Sequence, residues 1–101
     1  MINHTTFSSS GAESLDSWLE ELNEFKLERL IPFRTMGKGY ALIGQIDIVK
    51  RDADSIVANI SGTRTYKIAL YKKATKIISQ CDCPYESFCK HQAALLLLLI
   101  K

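Results

Sequence analysis

Hydrophobic positions follow three successive patterns along this chain, and each marks a different element. Leu15, Trp18, Leu19, Leu22, Phe25 and Leu30 recur at helical spacing, with Glu20, Glu21, Glu24 and Glu28 on other faces. Ser10 and Glu13 precede that stripe at capping-box spacing, and Pro32 follows it. The pattern predicts a helix over about 11–30 within an N-terminal helical segment, 10–33, preceded by a polar, flexible tail at 1–9. From residue 41 the period shortens towards two. ALIGQIDIV (41–49) reads as a strand with Gly44 as a bulge, entered through a flexible Gly37-Lys38-Gly39-Tyr40. SIVANI (55–60) puts Ile56, Ala58 and Ile60 on one face, and TYKIALY (65–71) alternates Tyr66, Ile68 and Leu70 against Lys67 and Ala69. KIISQC (76–81) is the fourth candidate strand. The turns between them, at 51–54, 61–63 and 72–75, are short enough to imply an antiparallel meander. HQAALLLLLIK (91–101) then reads as a helix that is apolar on every side and therefore needs cover all round.

These elements predict an α+β fold: a small antiparallel β-meander of about four strands with an N-terminal and a C-terminal helix. At 101 residues the chain makes one domain, close to the size at which a structural metal or a partner surface adds useful stability. The longest apolar run, Ala93–Ile100, is far shorter than the roughly 20 residues a membrane-spanning helix needs. The N-terminus lacks the pattern of a secretory signal. A cytoplasmic or otherwise intracellular location is expected, nuclear if the source is eukaryotic, with no membrane partner and with thiols reduced. The apolar pattern stops at Lys101 without a stop signal, so the chain is expected to be a piece of a longer protein.

Candidate chemistry lies in CDCPYESFCKH, residues 81–91, which holds all three cysteines and one of the two histidines. Zinc in a structural site takes four tetrahedral ligands drawn from thiolate and imidazole, and the spacing C-x-C-x5-C-x-H supplies such a set. Cys81 and Cys83, two apart at a strand end, project to the same side. Cys89 and His91 would lie about 200° apart inside one helix. The helix is therefore predicted to begin at Lys90–His91, with Cys89 in the preceding loop and the helix dipole favouring the thiolates. Three readings compete with a metal. A nucleophilic pair, Cys89 with His4 or Cys81 with His91, has no motif placing a third residue or an oxyanion loop. A redox pair leaves the histidine unexplained, and burial by chance leaves the spacing unexplained. A zinc closed by four protein ligands has no vacant position for water, so the chain is expected not to be an enzyme in itself.

CDCPYESFCKHQAALL resembles the SWIM-type zinc finger, whose pattern is C-x-C-P…C-K-H followed by an Ala/Leu-rich helix. A softer likeness extends upstream through GKGYALIGQI (37–46), IVANISG (56–62) and TYKIAL (65–70), so the resemblance covers about residues 34–100. It implies a domain over 34–101 with Cys81, Cys83, Cys89 and His91 holding a structural Zn²⁺ on a short meander and helix. Domains of this family occur within larger proteins, including bacterial Swi/Snf-type helicases, Mutator-like transposases and ubiquitin ligases. They bind DNA, other proteins, or both. The resemblance thus suggests a module of a helicase-like protein and assigns no catalytic residue.

Charge gives the partner question a direction. Residues 1–33 carry two basic and six acidic side chains, whereas residues 60–101 carry seven basic and two acidic. Arg64, Lys67, Lys72, Lys73, Lys76 and Lys90 are the candidate nucleic-acid contacts, with Tyr66, Tyr71 and Tyr85 available to stack on bases. For each lysine, a solvated strand face or turn explains the residue equally well. The rival function is a protein-interaction module without nucleic-acid binding, using the apolar last helix or Trp18 and Phe25 as anchors. Remaining domains of a longer chain would serve as partners in the same way.

Overall fold

A computed structural model describes residues 3–62, 64–84 and 88–100. The order of elements is β1 (Asn3–Ser8), α1 (Leu15–Glu21), α2 (Glu24–Leu30), α3 (Phe33–Tyr40), a 3-10 turn (Ile43–Gln45), β2 (Ile46–Arg51), β3 (Ser55–Ser61), β4 (Thr65–Lys73), β5 (Lys76–Cys81) and α4 (Lys90–Leu99). The strands form one sheet in the order β1-β5-β4-β3-β2, every pair antiparallel. Strands β2 to β5 are the expected meander. The fifth strand comes from the segment read as a tail: β1 pairs with β5 from Asn3↔Cys81 to Ser8↔Lys76. Its polar residues conceal an alternation in which, among His4 to Ser8, Phe7 alone is buried in the core. There Phe7 stacks on Trp18 at 5.8 Å and meets Phe88 edge-on at 5.7 Å.

The expected single helix over 11–30 is two helices. Asn23 interrupts it, its Oδ1 accepting the backbone N–H of Lys26 at 2.8 Å as the N-cap of α2. The break rotates the apolar stripe, so Leu27 and Ile31 are buried while Phe25 is 64 % exposed. Nor does Ser10 cap α1. Ser10 and Gly11 turn the chain at φ 52° and 82°, and Ser14 Oγ accepts the N–H of Ser17 instead.

Residues 37–40 are helical rather than a flexible entry. Pro32 opens α3 at its N-cap, and Met36 and Gly39, three apart, face inward. An added Cβ at Gly39 would lie 3.0 Å from both Ala93 Cβ and Ala94 N. Helix α3 therefore crosses α4 at nearly backbone contact, where a glycine fits without displacing its neighbours. This is the cover the all-apolar helix requires: α4 rests on β4, β5 and the 3-10 turn, with α3 packed against it, and Ala93–Leu97 are fully enclosed. The strand expected over 41–49 begins only at Ile46, because the end of α3 and the 3-10 turn use residues up to Gln45. Its bulge falls between Ile48 and Lys50 rather than at Gly44. The expected turn at 61–63 runs into Thr63, which lies outside the described residues.

Candidate metal centre

Two short segments deliver four ligand-type side chains to one place. Cys81 is the last residue of β5, on the core face beside Ile68 of β4. Asp82 then holds the departing chain to the sheet. Its N–H donates to Lys67 O at 3.2 Å, and its Oδ1 accepts the N–H of Lys67 at 2.9 Å. That clamp lets Cys83 turn back beside Cys81. Cys89 is the N-cap of α4 in extended conformation, and His91 is the second residue of the helix, as the spacing predicts. One donor atom from each of Cys81, Cys83, Cys89 and His91 lies within 4.8 Å of the other three.

The cysteines are buried and His91 is 9 % exposed. His91 turns Nδ1 towards Cys81 Sγ at 3.7 Å, and the ring of Tyr66 lies against its imidazole at 4.6 Å between centroids. Ligands about 2.1 and 2.3 Å from a tetrahedral ion sit roughly 3.6 Å apart, so this edge has the length a metal requires. The protonation of the cluster is uneven. The Cys81 thiol directed at Cys89 lowers the Cys89 pKa to about 4, overriding burial, with His91 and the N–H of Gln92 in the first turn of α4 adding to the effect. Its interaction with Cys89, and then burial, push the Cys81 thiol well up. The cysteines are unbridged. These four residues lie close together, buried, with a donor set that can hold a metal ion.

Of the two competing nucleophilic pairs, Cys89 with His4 is not assembled, since His4 is exposed on β1 and opposite in parity to Phe7. Cys81 and His91 do meet, at 3.7 Å, as two members of the four-residue cluster. The six candidate basic residues do not form one patch. Lys72, Lys73 and Lys76 cluster at the β4–β5 turn, where Lys72 Nζ donates to Ala74 O. Arg64 lies about 25 Å away at the opposite end of β4, near Lys90 and the metal centre, and Lys67 stands between on the exposed sheet face. Nor do the tyrosines interleave. Tyr66 faces the helices and Tyr71 the open side, where its hydroxyl accepts Gln80 Nε2 at 2.9 Å. An odd separation along a strand always splits two residues between faces. Tyr85 lies outside the described residues.

A cavity of about 540 Å³ opens beside the cluster, and Cys83, Cys89 and His91 form part of its wall. Arg64 and Lys90 line it, joined by Arg34 and Lys38 of α3. Those two went unnoticed in the sequence because the glycines around them read as a loop. Their i, i+4 spacing carries the signal once 33–40 is recognised as helix.

Fold and site together define a small α+β domain built round a candidate Cys3His metal centre at the junction of sheet and helix. Comparison with protein-family models, curated proteins and solved structures finds no match.

Proposed function

We propose that the chain is a zinc-stabilised, non-catalytic binding module of the SWIM type, acting on nucleic acid within a larger intracellular, helicase-like protein. The observation that carries the reading is the buried set of three thiol sulfurs and one imidazole gathered where β5 ends and α4 begins. That donor set suits tetrahedral Zn²⁺, and four protein ligands leave no position open for substrate or water. The role of the ion is to join strand end to helix start. Among the described residues no helix is long and apolar enough to cross a membrane.

Native mass spectrometry should find one zinc per chain, and a chelator should lower the melting temperature and loosen residues 81–99. A metal-free chain with unchanged melting temperature would refute the structural role. Nucleic-acid binding is tested by gel shift across ionic strength, where phosphate-dominated contact weakens steeply with salt. A protein-binding reading is favoured by Phe25 and Phe33, which are 64 % and 86 % exposed. Trp18 and the Ala93–Leu97 stretch of α4, the other anchors expected for a protein partner, are buried within the fold.

A further inference from the structure

We propose that the cavity beside the metal centre is the seat of a single-stranded nucleic-acid backbone, with Arg34, Lys38, Arg64 and Lys90 as its phosphate contacts. This deepens the nucleic-acid reading above and rests on it.

The four cations come from three separate parts of the chain: one face of α3, the β3–β4 loop and the first position of α4. No carboxylate lines the cavity among the described residues. The four side chains are exposed, so water screens their mutual repulsion, but around a concave, partly apolar wall their fields add and favour an anion. A zinc with three thiolates adds only about one negative charge behind them. Gly62 N–H donates to Arg64 O at 3.1 Å, and the Arg64 guanidinium stands 5.8 Å above the Tyr66 ring. The remaining wall mixes apolar Leu42 and Ile60 with polar Gln45 and Ser61, surfaces that suit a base and a sugar.

Shape selects the single strand. A cavity of this volume lies within the range of about 300–1,000 Å³ that encloses one small organic unit, the scale of a single nucleotide. A duplex shows a stiff convex surface to a recess, whereas a single strand can turn one nucleotide into it. The lysines at the β4–β5 turn do not line this cavity and are solvated surface charges in this scheme.

The test is fluorescence anisotropy on the full, zinc-loaded chain with labelled twelve-residue oligothymidylate and oligouridylate, a duplex of equal length and an oligoglutamate peptide. R34A/K38A is compared with K73A/K76A, and circular dichroism checks that each variant keeps the wild-type fold. The expected result is that R34A/K38A weakens single-strand binding about tenfold and flattens the logarithmic salt slope by about 1.4, while K73A/K76A leaves both unchanged. DNA and RNA share the phosphodiester chemistry, and the two oligonucleotides separate them. If the wild type binds single strands and R34A/K38A binds equally well, the cavity is not the seat, although the nucleic-acid reading stands. Preference for the duplex, or cavity-dependent binding of oligoglutamate alone, overturns the assignment. Absence of binding to every oligonucleotide at low salt removes the nucleic-acid reading together with it.

Discussion

Gly37 and Gly39 lie two residues apart in α3, and the structure assigns them opposite responses to the same substitution. A Cβ at Gly37 meets nothing within 4 Å. Replacing an exposed helical glycine by alanine removes an entropic penalty, so Gly37→Ala should stabilise the fold by about 0.5–1 kcal/mol. At Gly39 the same methyl lies 3.0 Å from Ala93 Cβ, 3.0 Å from Ala94 N and 3.2 Å from Ala93 C. Two of those three are backbone atoms and cannot swing aside. The helices must give by a few tenths of an ångström to restore ordinary contact, which strains a close-packed crossing. Overpacking of this kind costs about 1–3 kcal/mol. Against a propensity gain of at most about 1 kcal/mol, Gly39→Ala should destabilise by up to about 2 kcal/mol net. In a domain of this size each kcal/mol moves the melting temperature by about 4–8 °C. Thermal and urea denaturation followed by circular dichroism, at fixed zinc concentration, should therefore shift the two variants in opposite directions. If both substitutions raise the melting temperature, or neither moves it, residues 37–40 do not form the helix crossing and the enclosure of α4 is wrongly described.

Three further outcomes test other parts of the molecule. Ser79 Oγ donates to Gln92 Oε1 at 2.7 Å in the core, and Gln92 Nε2 has no partner among the described residues. Ser79→Ala should cost about 1–3 kcal/mol by leaving the amide wholly unmet, and adding Gln92→Leu should recover most of it. Strictly additive losses in that cycle would contradict the buried bond. Phe7→Ala should cost about 3–5 kcal/mol in urea unfolding, while Thr6→Ala on the exposed face should stay within about 0.5 kcal/mol. Equal, small effects would return residues 3–8 to the status of a tail. Zinc uptake at pH 7.5 should release the proton that Cys81 retains, whereas Cys89, ionised above a pKa of about 4, has none to give. The sign follows: protons compete with metal at Cys81, so affinity should rise with pH by about one logarithmic unit per unit of pH for each proton displaced. Calorimetric heats independent of buffer ionisation enthalpy would refute it.

How much could be read in advance depended on how local the controlling interaction was. The strands around Ile56–Ile60, Tyr66–Leu70 and Ile77–Cys81 were legible because an alternating stripe needs only a covered face. The start of α4 was legible because a pair two apart cannot converge within a helix. The break at Asn23 was missed because a capping side chain inside an apolar period looks like one more exposed polar residue. The basic residues were legible as charges and illegible as a site. Arg64 and Lys90 converge with Arg34 and Lys38 only after the chain has folded, whereas Lys72, Lys73 and Lys76 go to the far end of the sheet.

By itself, then, the sequence determined the period of each strand, the all-apolar last helix and the grouping of three cysteines and a histidine at ligand spacing. Each is set by residues within a turn or two of one another. Tertiary structure decided that a polar N-terminus becomes an edge strand, because β5 has an open edge for it and Trp18 and Phe88 make a pocket for Phe7. It also decided that a glycine-rich stretch becomes a helix. The propensity penalty of two glycines is about 1 kcal/mol each, and burying the upper side of α4 under α3 outweighs it.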